Sequence, residues 1–171
     1  MTANQIQNAL VASTILGFAV MELVSRRYKQ NVNASANDTK LELLMFLSLL
    51  AITQPLAILV TSQLGVDFFP QYKDTLSDMP WWAMVGLLLL LDDLTQYWWH
   101  RVSHSPLLWP LHRAHHSAQY MSIRVTFRNN FFYYLLMPGL WAAGALLYLG
   151  MDAMIYALYV VFKLLIILGA H

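Results

Sequence analysis

The chain has no cysteine and little charge: of its 171 residues only 11% are Asp, Glu, Lys or Arg, and the formal net charge is +1. Without cysteine there is no disulfide, thiolate zinc site, iron–sulfur cluster or cysteine nucleophile, so any metal must be bound by histidine and carboxylate side chains. The near-neutral balance gives no electrostatic attraction for nucleic acid. An apolar content of 58% exceeds that of ordinary soluble domains and excludes disorder. These features together predict an integral membrane protein.

The few charged residues leave long apolar stretches between them. About 20 apolar residues, each rising about 1.5 Å, cross a hydrocarbon core about 30 Å thick. The stretches predict an all-α fold, a single membrane helical bundle over residues 1–171 with about five transmembrane helices. The predicted spans are residues 5–24, 41–62, 80–99, 131–149 and 153–170, and a polar, histidine-rich segment covers residues 93–128.

The distribution of charge between the spans predicts the orientation in the membrane. Arg26, Arg27 and Lys29 follow the first span, which therefore has the pattern of a retained helix and not of a cleaved signal peptide. The loop after the second span carries three acids and one lysine, whereas residues 100–128 carry four arginines and no acid. By the positive-inside rule the histidine-rich segment faces the cytoplasm and the N-terminus lies on the opposite side.

Two features are expected in the last two spans. Pro138 and Gly139 lie inside the fourth span and predict a kink that neighbouring helices stabilise. The residues from Gly150 to Asp152 predict a tight turn that joins the fourth and fifth spans as an αα-hairpin. Such a hairpin returns the chain to the cytoplasmic side, which places His171 at the same face as the other histidines.

The histidines carry the strongest functional signal. Five of the six lie within 17 positions, in two groups: His100 with His104, then His112, His115 and His116. Residues three or four apart share a helix face, and Pro106 and Pro110 separate the groups onto two segments that can turn toward each other. Neutral imidazole is the commonest metal ligand, and five or six exceed the four that one tetrahedral ion needs. The surplus predicts two metal ions. The alternatives are surface histidines without metal and a bis-histidine haem site.

A carboxylate precedes the first histidine group. Asp93 stands seven residues before His100, nearly two helical turns, and therefore shares its face, whereas Asp92 points about 80° away. An ionisable residue in a membrane helix is a candidate for function by default. We expect Asp93 either to bind a metal ion or to accept a hydrogen bond from a ligand imidazole and fix its tautomer. The alternative for both aspartates is a wet helix end. The segment from Arg124 to Asn130 has no predicted chemistry.

The two histidine groups resemble the fatty acid hydroxylase/sterol desaturase superfamily of integral membrane di-iron enzymes. The matching stretches are DLTQYWWHRVSH from Asp93 and LWPLHRAHHS from Leu108. They correspond to the HxxxH and HxxHH signatures, and the likeness runs from about Trp81 to the C-terminus. It implies that the five histidines bind iron, that Asp93 is the acidic position before the first motif, and that His171 opens a third group. The second HxxHH of that group is absent, so several family ligands are missing. The chain is either a truncated relative or, as we expect, the N-terminal part of a longer domain.

The resemblance also implies an activity. The family would hydroxylate or desaturate an unactivated C–H bond of a lipid, whether a fatty acyl chain, a sterol or an ether lipid, as an O2-dependent oxidoreductase. The implied cofactors are two iron ions, for which zinc can substitute, with O2 as co-substrate. Because the chain has no cysteine and no flavin or nicotinamide motif, electrons must come from an external donor of the cytochrome b5 or ferredoxin type. A zinc-dependent membrane hydrolase and a non-catalytic metal-binding membrane bundle are the competing function classes.

Overall fold

The computed structural model describes residues 3–24, 35–120 and 122–169, and every regular element in these ranges is helical. The α-helices are α1 (Ala3–Val24), α2 (Ala36–Ser48), α3 (Gln54–Phe68), α4 (Trp81–Ser103), α5 (Trp109–His116), α6 (Phe131–Leu135), α7 (Pro138–Tyr148) and α8 (Ala153–Gly169). A π-helical turn at Leu49–Thr53 joins α2 to α3, and short 3₁₀ turns occur at Pro70–Tyr72 and Ile123–Phe127. The predicted all-α fold is confirmed.

Helices α2 and α3 with the π turn between them form one continuous helix of 33 residues, Ala36–Phe68. It begins in a capping box, in which the Ser35 hydroxyl accepts from the Asp38 amide and the Asp38 carboxylate accepts from the Ser35 amide. The π turn ends just before Pro55, whose ring lacks an N–H and crowds the preceding turn of a helix. At about 1.5 Å per residue the helix is about 50 Å long. It is therefore longer than a hydrocarbon core is thick.

Helices α7 and α8 pack against α4, while α3 packs on α7 and α1 packs on α8. Met84 and Leu88 of α4 are buried in one core cluster with Leu146 of α7 and Tyr159 of α8. Farther along both helices, Asp92 in the middle of α4 contacts Lys163 of α8. Later residues of α4 contact later residues of α8, so the two helices run parallel.

The turn between α7 and α8 lies beside the start of α4. The Leu76 amide, in the loop before α4, donates to the Leu149 carbonyl at 2.7 Å. Gly150 has a φ of +96°, a conformation that glycine adopts without steric cost. The predicted turn at Gly150–Asp152 is confirmed, and it returns the chain so that α7 runs antiparallel to α4.

The expected kink at Pro138 and Gly139 is an interruption of the Phe131–Tyr148 helix at Leu136 and Met137. Helix α6 ends at Leu135 and α7 begins at Pro138, where the missing proline N–H removes no helical hydrogen bond. The Trp141 indole donates to the Leu135 carbonyl at 2.7 Å and satisfies one acceptor that the break exposes. The sequence predicted the position of the bend correctly, but it predicted a kinked helix where the helical hydrogen bonding is interrupted.

Two helices among the described residues are long and apolar enough to cross a membrane, Ala36–Phe68 and Phe131–Tyr148. Ala12–Met21 and Ala153–Ile167 are apolar but shorter. Helix α4 has 23 residues, but Asp92, Asp93 and Arg101 reduce its apolar character. The helical bundle and two candidate spans are therefore observed, and the count of five spans stays a prediction.

Candidate metal centre

A sharp reversal of the chain brings the two histidine groups together. Helix α4 ends at Ser103, two residues before the Ser105–Pro106 bond, and α5 begins at Trp109 with Pro110 in its first turn. The Trp109 amide donates to the Ser105 carbonyl at 2.8 Å, which closes the connection between the helices. The end of α4 and the whole of α5 therefore face each other, as the positions of the prolines predict.

Four imidazoles converge between these helices: His100, His104, His112 and His116. One ligand atom from each lies within 4.8 Å of the other three. The Nε2 atoms of His100 and His104 are 3.2 Å apart, and those of His112 and His116 are 3.0 Å apart. Two nitrogens on one ion are separated by roughly 3.0–3.4 Å when each metal–nitrogen bond is about 2.1 Å. The spacing within each pair fits a shared metal ion.

The other predicted site residues lie outside this group of four. His115 stacks on His112 with ring centroids 5.3 Å apart, and its Nδ1 lies 3.2 Å from the Val125 carbonyl oxygen. Asp93 is exposed. His171 lies outside the described residues. The structure thus brings together four of the predicted residues, while roles for His115, Asp93 and His171, and a second metal ion, stay predictions.

Helix α4 turns Asp92 toward the bundle interior. One carboxylate oxygen of Asp92 lies 2.6 Å from the Lys163 ammonium, and the other accepts a hydrogen bond from the Tyr159 hydroxyl at 2.9 Å. The Asp92 side chain is 18% exposed. The alternative of a wet helix end therefore does not hold for Asp92, because α8 supplies a cation that the local helix pattern does not show.

The environment of His112 favours the neutral imidazole. Its side chain is 1% exposed, and burial, with a smaller effect of charge on the neighbouring imidazoles, lowers its pKa to about 4. Burial and His104 likewise lower the pKa of His116. A neutral imidazole has a free lone pair for a metal ion near pH 7. His112 is also stacked on Tyr133, with centroids 4.9 Å apart and planes 13° from parallel.

Sequence reasoning missed the contacts that hold this histidine. Asn129 Oδ1 lies 3.0 Å from His112 Nδ1, and Tyr133 covers the ring. Neither residue belongs to a histidine motif, and each is at least 17 positions from His112. Asn129 and Tyr133 can be identified only from the structure, in which they pack against His112 of α5.

The model of the Fatty acid hydroxylase family matches residues 85–171, just over half of the chain. The chain belongs to the fatty acid hydroxylase family. The matched region starts within α4 and contains both histidine groups, so the resemblance carried by those motifs is confirmed. Neither the comparison with curated proteins nor that with solved structures gives a match.

Membership of the fatty acid hydroxylase family gives the four-histidine cluster a chemical context. It implies an oxidoreductase of lipid hydroxylase or desaturase type, associated with a membrane. Fatty acid hydroxylases typically depend on metal, and the cluster of His100, His104, His112 and His116 offers the donors for it.

Proposed function

We propose that this member of the fatty acid hydroxylase family is a membrane-bound, iron-dependent enzyme that hydroxylates or desaturates a lipid. The observation that carries the proposal is the convergence of His100, His104, His112 and His116, from two helices, within 4.8 Å. His115 and His171 would complete the binding of a second iron, with Asp93 as a ligand or a hydrogen-bond acceptor.

The donor set supports a redox metal. Imidazole donors suit ferrous iron as well as zinc, and an ion with open positions can react with O2. Iron bound here would activate O2, which is the oxidant that breaks an unactivated C–H bond of a fatty acyl chain, sterol or ether lipid, with the remaining electrons supplied by the external donor. The protein contributes a rigid buried side at His112 and an open side at His104 and His116, which are exposed. Substrate and O2 would approach from that open side.

Five membrane spans fit the surface of the bundle. Large apolar side chains point outward on three helices: Leu59 on α3 is 67% exposed, Leu90 on α4 68% and Leu158 on α8 53%. Soluble proteins seldom expose apolar surface over so many elements, whereas lipid tails would cover it. The antiparallel pair α4 and α7 and the parallel pair α4 and α8 also agree with a chain that alternates across a bilayer.

The same arrangement accounts for substrate access and for the electron source. A lipid can move along the apolar outer faces of the helices to a metal site at the cytoplasmic end of α4 without entering water. The chain has no cysteine and no flavin or nicotinamide motif, so the electrons would come from an external protein of the cytochrome b5 or ferredoxin type.

The proposal is tested by metal analysis combined with O2 uptake. The full chain is purified in detergent, loaded with ferrous iron and supplied with membrane lipids and a one-electron donor protein. We expect bound iron, O2 consumption and a hydroxylated or unsaturated lipid detected by mass spectrometry. The His100→Ala variant should lose most of the bound iron, whereas Arg113→Ala, an exposed change on α5, should retain it.

Two results would count against this function. Tightly held zinc with lipid turnover that is independent of O2 would indicate a hydrolase. Equal iron content in the wild-type chain and His100→Ala would show that the four-histidine cluster does not bind the metal.

A further inference from the structure

The segment Ser122–Asn130 lies against α5, although its sequence predicts no chemistry. Its main chain and side chains contact α5 at three residues of that helix. The Asn130 amide donates to the Leu111 carbonyl at 3.2 Å, and the Arg128 Nε donates to the Ala114 carbonyl at 3.0 Å. The Val125 carbonyl oxygen lies 3.2 Å from His115 Nδ1. The segment therefore forms a support along the histidine-bearing helix.

Within this support Asn129 faces the most buried imidazole. Its Oδ1 lies 3.0 Å from His112 Nδ1. Asn129 is 5% exposed and His112 is 1% exposed, so bulk water has little access to this hydrogen bond. On the other side of the ring, His112 Nε2 lies 3.0 Å from His116 Nε2, within the cluster. One ring nitrogen thus contacts the support and the other contacts the metal-binding group.

Helix α2 in turn fixes the support. Arg128, next to Asn129, lies 2.6 Å from an Asp38 oxygen and 3.5 Å from a Glu42 oxygen. Arg124 lies 3.4 Å from the other Glu42 oxygen. Glu42 is 2% exposed, and paired charges in a buried place are held in one geometry because leaving either unpaired is costly. The position of Asn129 is therefore determined by α2 as well as by its own segment.

We propose that Asn129 is a positioning residue for the metal centre: its side-chain oxygen accepts the Nδ1 proton of His112 and so directs the Nε2 lone pair into the cluster. This inference rests on the proposed metal-binding function. The physical reason is that a neutral imidazole carries one proton, and a hydrogen-bond acceptor at one nitrogen leaves the other free to bind metal. The contact with Asn129 also limits rotation of the ring.

Three variants separate the hydrogen bond from simple packing. Asn129→Leu keeps a similar volume and removes the acceptor. Asn129→Asp keeps an acceptor at the same place. Gln119→Leu, an exposed change in the same connection, is the matched control. All are made in the full chain in detergent, and metal binding is followed with Co²⁺, whose visible absorption reports on its ligands.

The first measurement is Co²⁺ affinity at about pH 8, where free histidine side chains are neutral. We expect Asn129→Leu to weaken binding about 10- to 100-fold, the usual effect of removing a partner of a ligand histidine. Asn129→Asp and Gln119→Leu should stay close to the wild type. Equal affinity in Asn129→Leu and the wild type would overturn the inference while leaving the metal centre intact.

The second measurement needs no metal. In the metal-free chain labelled with ¹⁵N-histidine, NMR distinguishes the tautomers, and His112→Gln identifies the signal of His112. We expect the proton on Nδ1 in the wild type and Asn129→Asp, and a mixture of tautomers in Asn129→Leu. A wild-type proton on Nε2 would overturn the role of Asn129. Failure of the wild-type chain to bind Co²⁺ or iron would overturn the metal centre and, with it, this role.

Discussion

His112 is a member of the four-histidine cluster that is both closely packed and held by a buried hydrogen bond. Its ring is covered by Tyr133 on one face and held at Nδ1 by Asn129, and it has almost no contact with solvent. Burial removes the stabilisation that water gives to a charged imidazolium. The protonated form of the His112 side chain is therefore disfavoured in the folded chain.

This environment predicts how the stability of the metal-free chain depends on pH. The His112 pKa is lowered from 6.5 to about 4 in the folded chain, so between these values the unfolded chain binds a proton that the folded chain does not. Stability should therefore fall as the pH falls from about 7 toward 4, and this group should have no effect above about 7. Thermal unfolding in detergent, at a series of pH values in this range, measures the slope.

His112→Phe provides the control, because it keeps an aromatic ring against Tyr133 and removes the titrating group. Its unfolding temperature should fall less steeply with decreasing pH, although burial also lowers the pKa of His116 and keeps part of the slope. The same slope in the variant and the wild type would show that His112 does not cause the effect.

At the scale of elements, α3 and α7 pack unusually closely through Gly144. A Cβ placed on Gly144 would lie 3.1 Å from the Ala57 carbonyl oxygen and 3.2 Å from the Ile58 Cα, and it would overlap the Thr61 hydroxyl. Two of these neighbours are backbone atoms of α3, which cannot move without moving the helix. Small residues at such crossings allow helices in membranes to gain van der Waals contact.

We expect Gly144→Ala to destabilise the chain by about 1–3 kcal/mol, the usual cost of overpacking. Gly86→Ala is the matched control, because a Cβ at Gly86 in α4 meets nothing within 4 Å. Alanine favours the helix over glycine by about 1 kcal/mol, so this variant should be as stable as the wild type or more so. Denaturant titration of the two variants in detergent makes the comparison. Equal stabilities would show that α3 and α7 can separate at little cost.

The sequence predicts those elements that depend on residues close together in the chain, such as the spacing of histidines and the positions of prolines. The spacing of His100 with His104, and of His112 with His116, places each pair on one helix face. Of the two prolines between the groups, Pro106 follows the end of α4 and Pro110 lies in the first turn of α5. The partners of these residues come from distant parts of the chain: Asn129 is 17 residues from His112, and Lys163 is 71 residues from Asp92. Helical periodicity contains no information on such contacts, so Asp92 could not be distinguished from an exposed helix end.

The whole molecule is a bundle whose helices alternate in direction and expose apolar side chains. Two of its polar connections differ in charge. The connection between α3 and α4 contains Lys73 with two acids, whereas the residues from His100 to Arg128 contain four arginines and no acid. The opposite charge of the two ends agrees with the proposed orientation, in which the histidine cluster lies on the cytoplasmic side.

The absence of cysteine makes this orientation directly testable. Gln71 and Gln119 are exposed residues in the two connections, and either can be replaced by cysteine as the one thiol in the chain. A membrane-impermeant maleimide added to intact cells should label Gln71→Cys and not Gln119→Cys. After permeabilisation both should react. Labelling of Gln119→Cys in intact cells would reverse the orientation, and labelling of both would contradict the five-span arrangement.

The ion pair of Asp92 with Lys163 also marks a common depth on two parallel helices. Residues equally far beyond the pair lie level, since both helices rise about 1.5 Å per residue. Gly169, the last residue of α8, is six positions after Lys163, and Trp98 is six positions after Asp92. Helix α8 therefore ends level with Trp98, within one turn of His100. The end of α8 is therefore level with the end of α4 that carries the histidine cluster.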